Sequence, residues 1–434
     1  MIMPPLSMGS TNLYLWSMVN SLCTGLIGCL LMACVACSKQ EPPRNWKSIE
    51  KSLQTQLIAA TTGDTIDLPE GHYMFTRSLT LDGKSGIVIR GKGMDKTILS
   101  WKNQEEGAQG VQVSNCQNIV LQDFSVEDAK GDNLKVNDTR GITFRRIRSV
   151  WTGGPKTENG AYAIYPVLCK NVLMEECIAV GSSDAGIYVG QSDSVIIRNN
   201  TAYWNVAGIE AENSRWVEIY GNEAYDNTGG LLIFDLPGLT QYGHTTRAYN
   251  NRIHDNNHEN FAQEGNIVAS IPPGSGIMIL ATHNVQLYDN EITDNQTVGV
   301  AIISYELVAA MNEGVEEQAD AIGGAQTVNN RFREDTLYNP FPYDISIFRN
   351  RISNTHWFPA VQNDIGKLLI WYSPFTPPAL LYDGIEDPKR SQRNICFAEN
   401  GDVLFINLDA GHDFESLSKD AAPFGCPSEK LNPR

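Results

Sequence analysis

Short runs in which apolar and polar residues alternate recur along most of the chain, separated by turns rich in asparagine, aspartate and glycine. Residues 194–200, with the sequence SVIIRNN, are a typical run. Such alternation, dominated by β-branched residues, predicts half-buried β-strands. Helical periodicity is almost absent, so the pattern predicts an all-β protein.

Eight of these runs align so that one residue type comes to occupy one column. The column reads Phe124, Ile147, Cys177, Asn200, Asn222, Asn251, Asn290 and Asn350. Its first members lie roughly 22 to 30 residues apart, and the longer later steps are the same unit with insertions, which is typical of a solenoid. We therefore predict a right-handed parallel β-helix, with one repeat per coil.

The asparagine column has a physical reason in this fold. Coils stack about 4.8 Å apart, so an inward asparagine lies beside that of the next coil and their amides can hydrogen-bond in a row. A second row, five residues further on, predicts another turn. Its members are Asn205, Asn227, Asn256 and Asn295. Both rows are interpreted as structural.

The pattern divides the chain into four parts within one elongated domain. They are an export segment over residues 1–37, a linker and capping helix over 38–63, the coils over 64–360 and a C-terminal cap over 361–434. The helix is predicted from apolar residues at helical spacing, and it would cover the open edge of the first coil. These residues are Trp46, Ile49, Leu53 and Leu57.

The export segment is mostly apolar and ends sharply at Ser38. It contains two overlapping sequences, LMAC ending at Cys34 and CVAC ending at Cys37, that resemble a bacterial lipobox. We expect one of these cysteines to be lipidated, which would anchor the protein to a membrane of the cell envelope. No basic residue precedes Lys39, so a retained helix or a simple signal peptide are the alternatives.

Five cysteines follow the export segment. Cys396 and Cys426 flank the C-terminal tail, and in an oxidising compartment we expect them to form a disulfide that closes a loop of about thirty residues. Cys116, Cys169 and Cys177 are expected to be buried thiols. No cysteine and histidine cluster has the spacing of a zinc site, so neither a metal nor a cofactor is predicted.

The charge is strongly acidic, with 33 Lys and Arg against 50 Asp and Glu and a formal net charge of -17. All of these residues follow Ser38. An acidic surface repels nucleic acid, so no nucleic-acid partner is expected, and it disfavours a polyanionic substrate unless a cation bridges.

Insertions mark one face of the predicted solenoid. Residues 151–162 and 257–275 precede one particular strand of the coil, and residues 235–244 and 305–343 follow it. Loops at both ends of one strand would rise as walls beside that face, and insertions on one face usually mark a binding side. We therefore expect an open groove there.

The strand between the walls carries polar and aromatic residues at its outward positions. The predicted outward and rim residues are Lys135, Tyr165, Tyr188, Glu210, Glu212, Gln191, Asn213 and Asp235. Aromatic rings pack on sugar rings while carboxylates and amides bind hydroxyls, so a polysaccharide or oligosaccharide is the expected partner. Ordinary solvated side chains are the alternative interpretation.

Chemistry is predicted from three of these residues. Glu210 and Glu212 leave the same face of one strand about 7 Å apart, near the separation of an inverting glycosidase pair, and Tyr188 lies one coil away. A lyase or epimerase would instead use Lys135, Tyr165 or Tyr188 to move a proton. Because these side chains are expected to be exposed, Glu210→Gln and Tyr188→Phe should weaken function without changing stability. Whether the protein is an enzyme stays open.

Several motifs also resemble a bacterial family of exported parallel β-helix repeat proteins, often lipoproteins, within the pectin-lyase-like superfamily. They are WTGGPK from Trp151, SDAGIYVGQS from Ser183, VAGIEAENS from Val206, TGGLLIFDLPG from Thr228 and GNIVASIPPG from Gly265. Members are often encoded beside a second exported protein. The resemblance implies an envelope location and an exported protein partner, so a non-catalytic scaffold is the alternative function. It implies no particular reaction, and the Asp-Pro-His signature of alginate epimerases is absent.

Overall fold

The computed structural model describes residues 46–312, 329, 331–362, 364–373, 375–391 and 394–427. The predicted export segment, with Cys34 and Cys37, lies outside the described residues. Within the described ranges, no helix combines the length and apolar character needed to cross a membrane.

The chain winds into a solenoid in which strands of successive coils pair in parallel. Strands form a 20-stranded sheet and an 11-stranded sheet. The larger sheet consists of two stacks of parallel strands, which we call rank one and rank two. Two long strands, Gln117–Glu127 and Arg140–Val150, belong to both. A typical coil therefore contributes three strands, as in Asp193–Arg198, Thr201–Tyr203 and Ala207–Glu212.

Besides the two long strands, rank one contains Thr65–Asp67, Val88–Arg90, Lys170–Glu175, Asp193–Arg198, Arg215–Tyr220, His244–Tyr249, His283–Tyr288, Tyr343–Phe348 and Ile395–Ala398. Rank two contains Trp46–Lys47, Gly71–Met74, Thr97–Ser100, Ile178–Val180, Thr201–Tyr203, Glu223–Tyr225, Arg252–His254, Glu291–Thr293 and Arg351–Ser353. The 11-stranded sheet contains Arg77–Asp82, Glu106–Ser114, Leu134–Asn137, Tyr162–Val167, Ala185–Gly190, Ala207–Glu212, Gly229–Phe234, Ser275–Leu280, Val298–Ile303, Leu380–Tyr382 and Phe405–Asn407.

Helices are short and lie outside the coils. The α-helices are Glu50–Ala59, Tyr305–Met311 and Asp364–Tyr372, and the 3-10 helices are Ile267–Ser270, Phe332–Glu334, Ala410–His412 and Ala422–Phe424. The first α-helix confirms the predicted cap, since Leu53 and Leu57 are buried in the coil core. Trp46 was assigned wrongly: it pairs with His72 as a strand of rank two, where the sheet edge offers main-chain hydrogen bonds that a helix cannot use.

The predicted asparagine ladder is confirmed. Asn200 Nδ2 donates to Asn222 Oδ1 at 2.9 Å, and Asn222 Nδ2 donates to Asn251 Oδ1 at 3.0 Å. The row continues through Asn290 and Asn350 and ends at Asn400, which the repeat alignment missed. All six of these side chains are buried, so the amides satisfy one another where water does not reach.

The second row is also a hydrogen-bonded ladder, with amide-to-amide distances of 3.0, 2.9 and 3.0 Å from Asn205 to Asn295. Glycines make room for it. A Cβ at Gly208 would lie 2.8 Å from Asn227 Nδ2, and one at Gly186 would lie 2.6 Å from Asn205 Nδ2. The recurring glycine at the start of the next strand is therefore part of the ladder.

The C-terminal end is closed as predicted by the Cys396–Cys426 disulfide, whose Cα atoms are 4.8 Å apart. Cys116, Cys169 and Cys177 are free and buried, as expected. Coiling, however, continues past residue 360, where it was predicted to stop. Leu380–Tyr382, Ile395–Ala398 and Phe405–Asn407 extend the same sheets within the predicted cap.

Candidate functional site

The four insertions adjoin strands of the 11-stranded sheet, at the ends that the sequence predicted. Tyr162–Val167 and Ser275–Leu280 each follow an insertion, and Gly229–Phe234 and Val298–Ile303 each precede one. Their apolar residues pack back onto the outer face of that sheet. A single buried cluster joins the outward side chains of Leu232 and Phe234 to Leu236, Ile267 and Ile271 of the insertions.

The prediction of an open, exposed column on this face is therefore wrong. Tyr188, Glu212 and Asp235 have an exposed fraction of 2% or less, and Glu210 and Asn213 are equally buried. Tyr165 is buried as well, whereas Lys135 and Gln191 are half-buried. The outer face also carries apolar residues beside these polar ones. The free energy gained by burying the apolar residues holds the insertions against the sheet.

The strands bring three of the predicted residues together. Tyr188 lies beside Glu210 in the register of adjacent coils, and its hydroxyl donates a hydrogen bond of 2.7 Å to Glu212 Oε1. Glycine is required at position 190, because a Cβ there would lie 2.4 Å from the Tyr188 hydroxyl. Tyr188, Glu210 and Glu212 therefore lie side by side on two adjacent strands.

Two further carboxyl groups, which the sequence reasoning missed, lie beside them. Asp132 stands just before the strand Leu134–Asn137, where its Oδ1 accepts from the Tyr162 backbone N–H at 3.3 Å. Asp184 stands just before Ala185–Gly190, near the Tyr162 side chain, which lowers the pKa of its carboxyl group. Both occupy the turn before a strand of this sheet, a position that the column alignment did not include.

Three tyrosine rings pack against one another beside these carboxyl groups. The Tyr162 ring centroid lies 4.4 Å from that of Tyr165 and 4.3 Å from that of Tyr188. Lys135 closes one end, with Nζ 4.7 Å from the Tyr165 ring centroid and 3.9 Å from Asp132 Oδ2. We call the four carboxyl groups with the three tyrosines the acid cluster. Its members are Asp132, Asp184, Glu210, Glu212, Tyr162, Tyr165 and Tyr188.

Burial dominates the electrostatics of the acid cluster. Loss of solvation raises the pKa of Glu212 to about 7 and that of Asp132 to about 7. The pKa values of Asp184 and Glu210 are raised well above their usual range by burial first and then by neighbouring carboxylates. The Tyr188 hydrogen bond opposes this for Glu212. The cluster therefore holds protons near neutral pH.

Several polar atoms of this region are buried without any hydrogen-bond partner. They include Asp132 Oδ2, Asp184 Oδ1 and Glu210 Oε2, together with Asn133 Nδ2 and Ser182 Oγ. Such atoms are rare in folded proteins because each carries an uncompensated loss of solvation. Their concentration in neighbouring coils makes the acid cluster the strongest candidate site in the described part of the chain.

Three residues predicted to bind substrate have another role. Asn213 donates to the backbone oxygens of Leu236 and Gln241, at 2.8 and 2.9 Å, and accepts from the Leu236 N–H. Gln191 Oε1 accepts from the backbone N–H and hydroxyl of Thr240. Asp235, whose pKa is raised by burial, accepts from the backbone N–H of Gly243 at 2.6 Å. These side chains anchor the loop after Gly229–Phe234.

Among the described residues, no group of three or more His, Cys, Asp or Glu side chains is arranged to hold a metal ion. What the acid cluster can do is exchange protons. Glu210 and Glu212 combine raised pKa values with mutual proximity, and such a pair can supply one protonated and one ionised carboxyl group at neutral pH.

Comparison with known proteins agrees with this architecture. Residues 110–313 match the family described as Right handed beta helix region. The protein thus has a right-handed parallel β-helix fold. No curated protein sequence matches the chain.

Solved structures similar to the chain include the mannuronan C-5 epimerase AlgE6 A-module of Azotobacter vinelandii, with 14% identity, a TM-score of 0.50 and coverage of 82% of this chain and 92% of that one. The AlgE4 A-module of the same organism gives 14% identity, a TM-score of 0.48 and coverage of 82% and 91%. The active domain of bacteriophage CBA120 tailspike protein 2 gives 9% identity, a TM-score of 0.46 and coverage of 82% and 50%. At these identities the likeness concerns the fold alone.

Proposed function

We propose that this protein binds a polysaccharide and cleaves it by acid–base catalysis in the acid cluster. The observation that carries the proposal is the set of four buried, protonatable carboxyl groups against three tyrosine rings. Buried carboxyl groups with raised pKa values are characteristic of catalytic acids and bases.

Inverting glycoside hydrolysis is the reaction that this geometry supports best. Glu210 and Glu212 are two residues apart on one strand, so their backbones are separated by about 7 Å. Inverting enzymes hold the carboxyl groups of the acid and the base about 6.5–9.5 Å apart, with a water between them. The Tyr188 hydroxyl stabilises ionised Glu212, which suits the base. Glu210, with its more strongly raised pKa, then acts as the acid.

Substrate would approach from the end of the cluster that Lys135 occupies. The side chain of Lys135 is 23% exposed, while that of neighbouring Asp132 is fully buried. The opposite end is closed by the loop that Asn213 and Gln191 anchor. An oligosaccharide entering at Lys135 would meet Tyr165 first and then Tyr188 with the glutamate pair.

The test is release of reducing ends from a panel of bacterial and plant polysaccharides. We expect Glu210→Gln and Glu212→Gln to lower kcat by about 10²-fold to 10⁴-fold, while Glu415→Gln, an exposed residue of the C-terminal cap, leaves it unchanged. NMR of the first product should show the inverted anomer. Unsaturated products would show that the reaction is elimination and not hydrolysis. Equal activity in all three variants would show that the glutamate pair is not catalytic.

We also propose that the protein is exported and lipid-anchored in the cell envelope. The support is the apolar stretch over residues 13–37 and its two lipobox-like sequences. Labelling cells with a radioactive fatty acid, in wild type and in the Cys34→Ala and Cys37→Ala variants, identifies the modified residue. Full labelling of a variant that carries both substitutions would refute lipidation at either position.

A second candidate function is a scaffold for an exported protein partner. The observation that favours it is a group of exposed aromatic residues near the C-terminal coils, since exposed apolar patches commonly mark protein interfaces. They are Trp357, Phe358, Trp371 and Phe375, with exposed fractions of 73%, 47%, 82% and 69%. Cross-linking in whole cells should capture a partner with wild type but not with Trp371→Ala. Equal capture by wild type and variant would show that Trp371 is not part of the interface.

A further inference from the structure

An exposed tryptophan occupies a backbone position that elsewhere holds aspartate or glycine. The residue directly after a strand of rank two is left-handed in several coils, at Asp128, Gly181, Asp226, Asp255 and Asp294. Trp204 stands at the same position, with φ of 58° and an exposed fraction of 44%. Left-handed backbone is unfavourable for a bulky side chain, and an exposed indole gains little from burial. Such outliers cluster at ligand sites.

Trp204 lies beside an open pocket of about 460 Å³, a volume within the usual range of about 300–1,000 Å³ for ligand sites. The Trp204 N–H donates to Asp226 O at 3.2 Å, and the Asp226 N–H donates to Asp255 O at 3.1 Å. All three residues line the pocket, which therefore spans three stacked coils, or about 10 Å along the solenoid axis. Its lining also includes Tyr225, His258 and His356, and it shares no residue with the acid cluster.

The polar groups of this pocket are available to a ligand. Asp226 is exposed, and no described residue donates a hydrogen bond to its carboxylate. At the equivalent position, the Asp128 carboxylate is occupied by the backbone N–H and hydroxyl of Thr152, at 2.6 and 2.7 Å. His258 Nδ1 donates to its neighbour's backbone oxygen at 2.8 Å, which leaves Nε2 of the neutral ring as an acceptor. The indole N–H of Trp204 has no partner among the described residues and can donate.

This combination suits a neutral sugar. Hydroxyl groups both donate and accept hydrogen bonds, so they match a lining that contains both kinds of group. The face of an indole ring is electronegative, and the C–H groups on one face of a pyranose ring carry a small positive charge, so the two surfaces attract each other. An anionic sugar is disfavoured, because the described lining contains Asp226 and Asp255 but neither lysine nor arginine.

We propose that the pocket beside Trp204 binds a neutral glycan, at a site separate from the acid cluster. One sugar ring stacks on the Trp204 indole, and hydroxyl groups of the glycan hydrogen-bond to the exposed carboxylates of Asp226 and Asp255. Because these residues come from stacked coils, the glycan runs along the solenoid axis. The site goes beyond the proposed reaction, since binding here needs none of the residues of the acid cluster.

The test compares two tryptophans in the same backbone conformation. Trp216 is the matched control, because it is 58% exposed, has φ of 56° and lies on rank one, outside the pocket. Asparagine tolerates left-handed backbone, so neither Trp204→Asn nor Trp216→Asn should lower the midpoint of thermal unfolding. A sugar that covers the indole excludes water from it, so binding is followed by tryptophan fluorescence of the full-length protein.

The ligands are β-1,4-linked oligomers of glucose, mannose, galactose and xylose of equal length, with galacturonic acid and glucosamine oligomers for comparison. We expect a neutral oligomer to shift the emission to shorter wavelength in wild type and in Trp216→Asn. Trp204→Asn should abolish this shift, and Asp226→Ala should raise the Kd several-fold.

Three results would overturn the inference. The absence of a shift with every neutral oligomer, or a shift that Trp204→Asn retains, would refute the site. Tighter binding of the galacturonate or glucosamine oligomer than of every neutral one would refute its preference for neutral sugars. If Trp204→Asn unfolds early, Asp226→Ala decides, and an unchanged Kd in that variant refutes the site. The reducing-end assay is a separate measurement, so failure of the proposed hydrolysis is distinguishable from failure of this site.

Discussion

Replacing Asn222 by alanine tests the ladder on which the coil register depends. The Asn222 side chain makes four buried hydrogen bonds. Its Nδ2 donates to Ile197 O and to Asn251 Oδ1, both at 3.0 Å. Its Oδ1 accepts from the backbone N–H of Asn200 at 3.0 Å and from Asn200 Nδ2 at 2.9 Å.

The cost follows from what alanine leaves behind. The Asn200 backbone N–H loses its acceptor inside the core, which costs about 1–3 kcal/mol. Asn200 Nδ2 keeps its bond to Met174 O, and Asn251 Oδ1 keeps the bond from the Asn222 backbone N–H, so these groups stay satisfied. The three other lost bonds cost about 0.5–1.5 kcal/mol each. We expect the free energy of unfolding to fall by about 3–7 kcal/mol.

Urea unfolding followed by far-UV circular dichroism measures this change. Asn103→Ala is the matched control, because Asn103 is exposed and should change stability by less than about 0.5 kcal/mol. A loss below about 1 kcal/mol for Asn222→Ala, at an unchanged m-value, would refute the ladder as a source of stability. It would mean that water or a shifted neighbour replaces these bonds.

Other expectations concern the acid cluster, the glycine column and the cap. Burial raises the pKa of Glu212 to about 7, so its protonated form stabilises the fold fully below pH 4, and this contribution is lost as pH rises through 7. Glu212→Gln should flatten the fall in stability between pH 5 and 8. Parallel curves of stability against pH for wild type and variant would contradict this. Tyr188→Phe removes the hydrogen bond to buried Glu212 and should lower stability by about 1–3 kcal/mol in thermal unfolding, contrary to the expectation from an exposed side chain. Gly208→Ala places a Cβ 2.7 Å from Gly230 O and should cost about 2–4 kcal/mol, whereas a neutral result would mean that the coil can shift. Reducing the disulfide that closes a separation of 30 residues should lower the midpoint of thermal unfolding, by about 3–4 kcal/mol of stability, and an unchanged midpoint would show that the tail is held by packing alone.

The fold was predictable because its decisive contacts are local along the sequence. Asn200 meets Asn222 one repeat later, so the spacing of asparagines records the spacing of coils directly. The cap was only partly predictable, because Trp46 fits an apolar helical spacing and a strand edge equally well. Trp46 forms a strand and not part of the helix because the sheet edge supplies main-chain hydrogen-bond partners. Asn400 was missed because an insertion that contains the helix Asp364–Tyr372 separates it from Asn350.

The site was less predictable because burial of its residues depends on distant segments. Nothing in the strand Ala207–Glu212 reveals that Glu210 is covered, since the covering residues lie in insertions tens of residues away. Asp132 and Asp184 precede their strands and fall outside the alternating pattern. The nearest sequence signal was that both occupy the turn before a strand of the same sheet, where a carboxyl group recurs without a capping role.

The asparagine ladders also have a direction. Except at the last member, each Nδ2 donates to the Oδ1 of the following coil, from Asn200 to Asn400 in one row and from Asn205 to Asn295 in the other. The amide dipoles therefore add head to tail and polarise one another, as peptide dipoles do along a helix. Their oxygen ends point toward the early coils, and the second row begins beside Ser182, two residues before Asp184. The negative end of the second row therefore lies at Asn205, where the Ser182 backbone N–H compensates it by donating a hydrogen bond to the last amide oxygen.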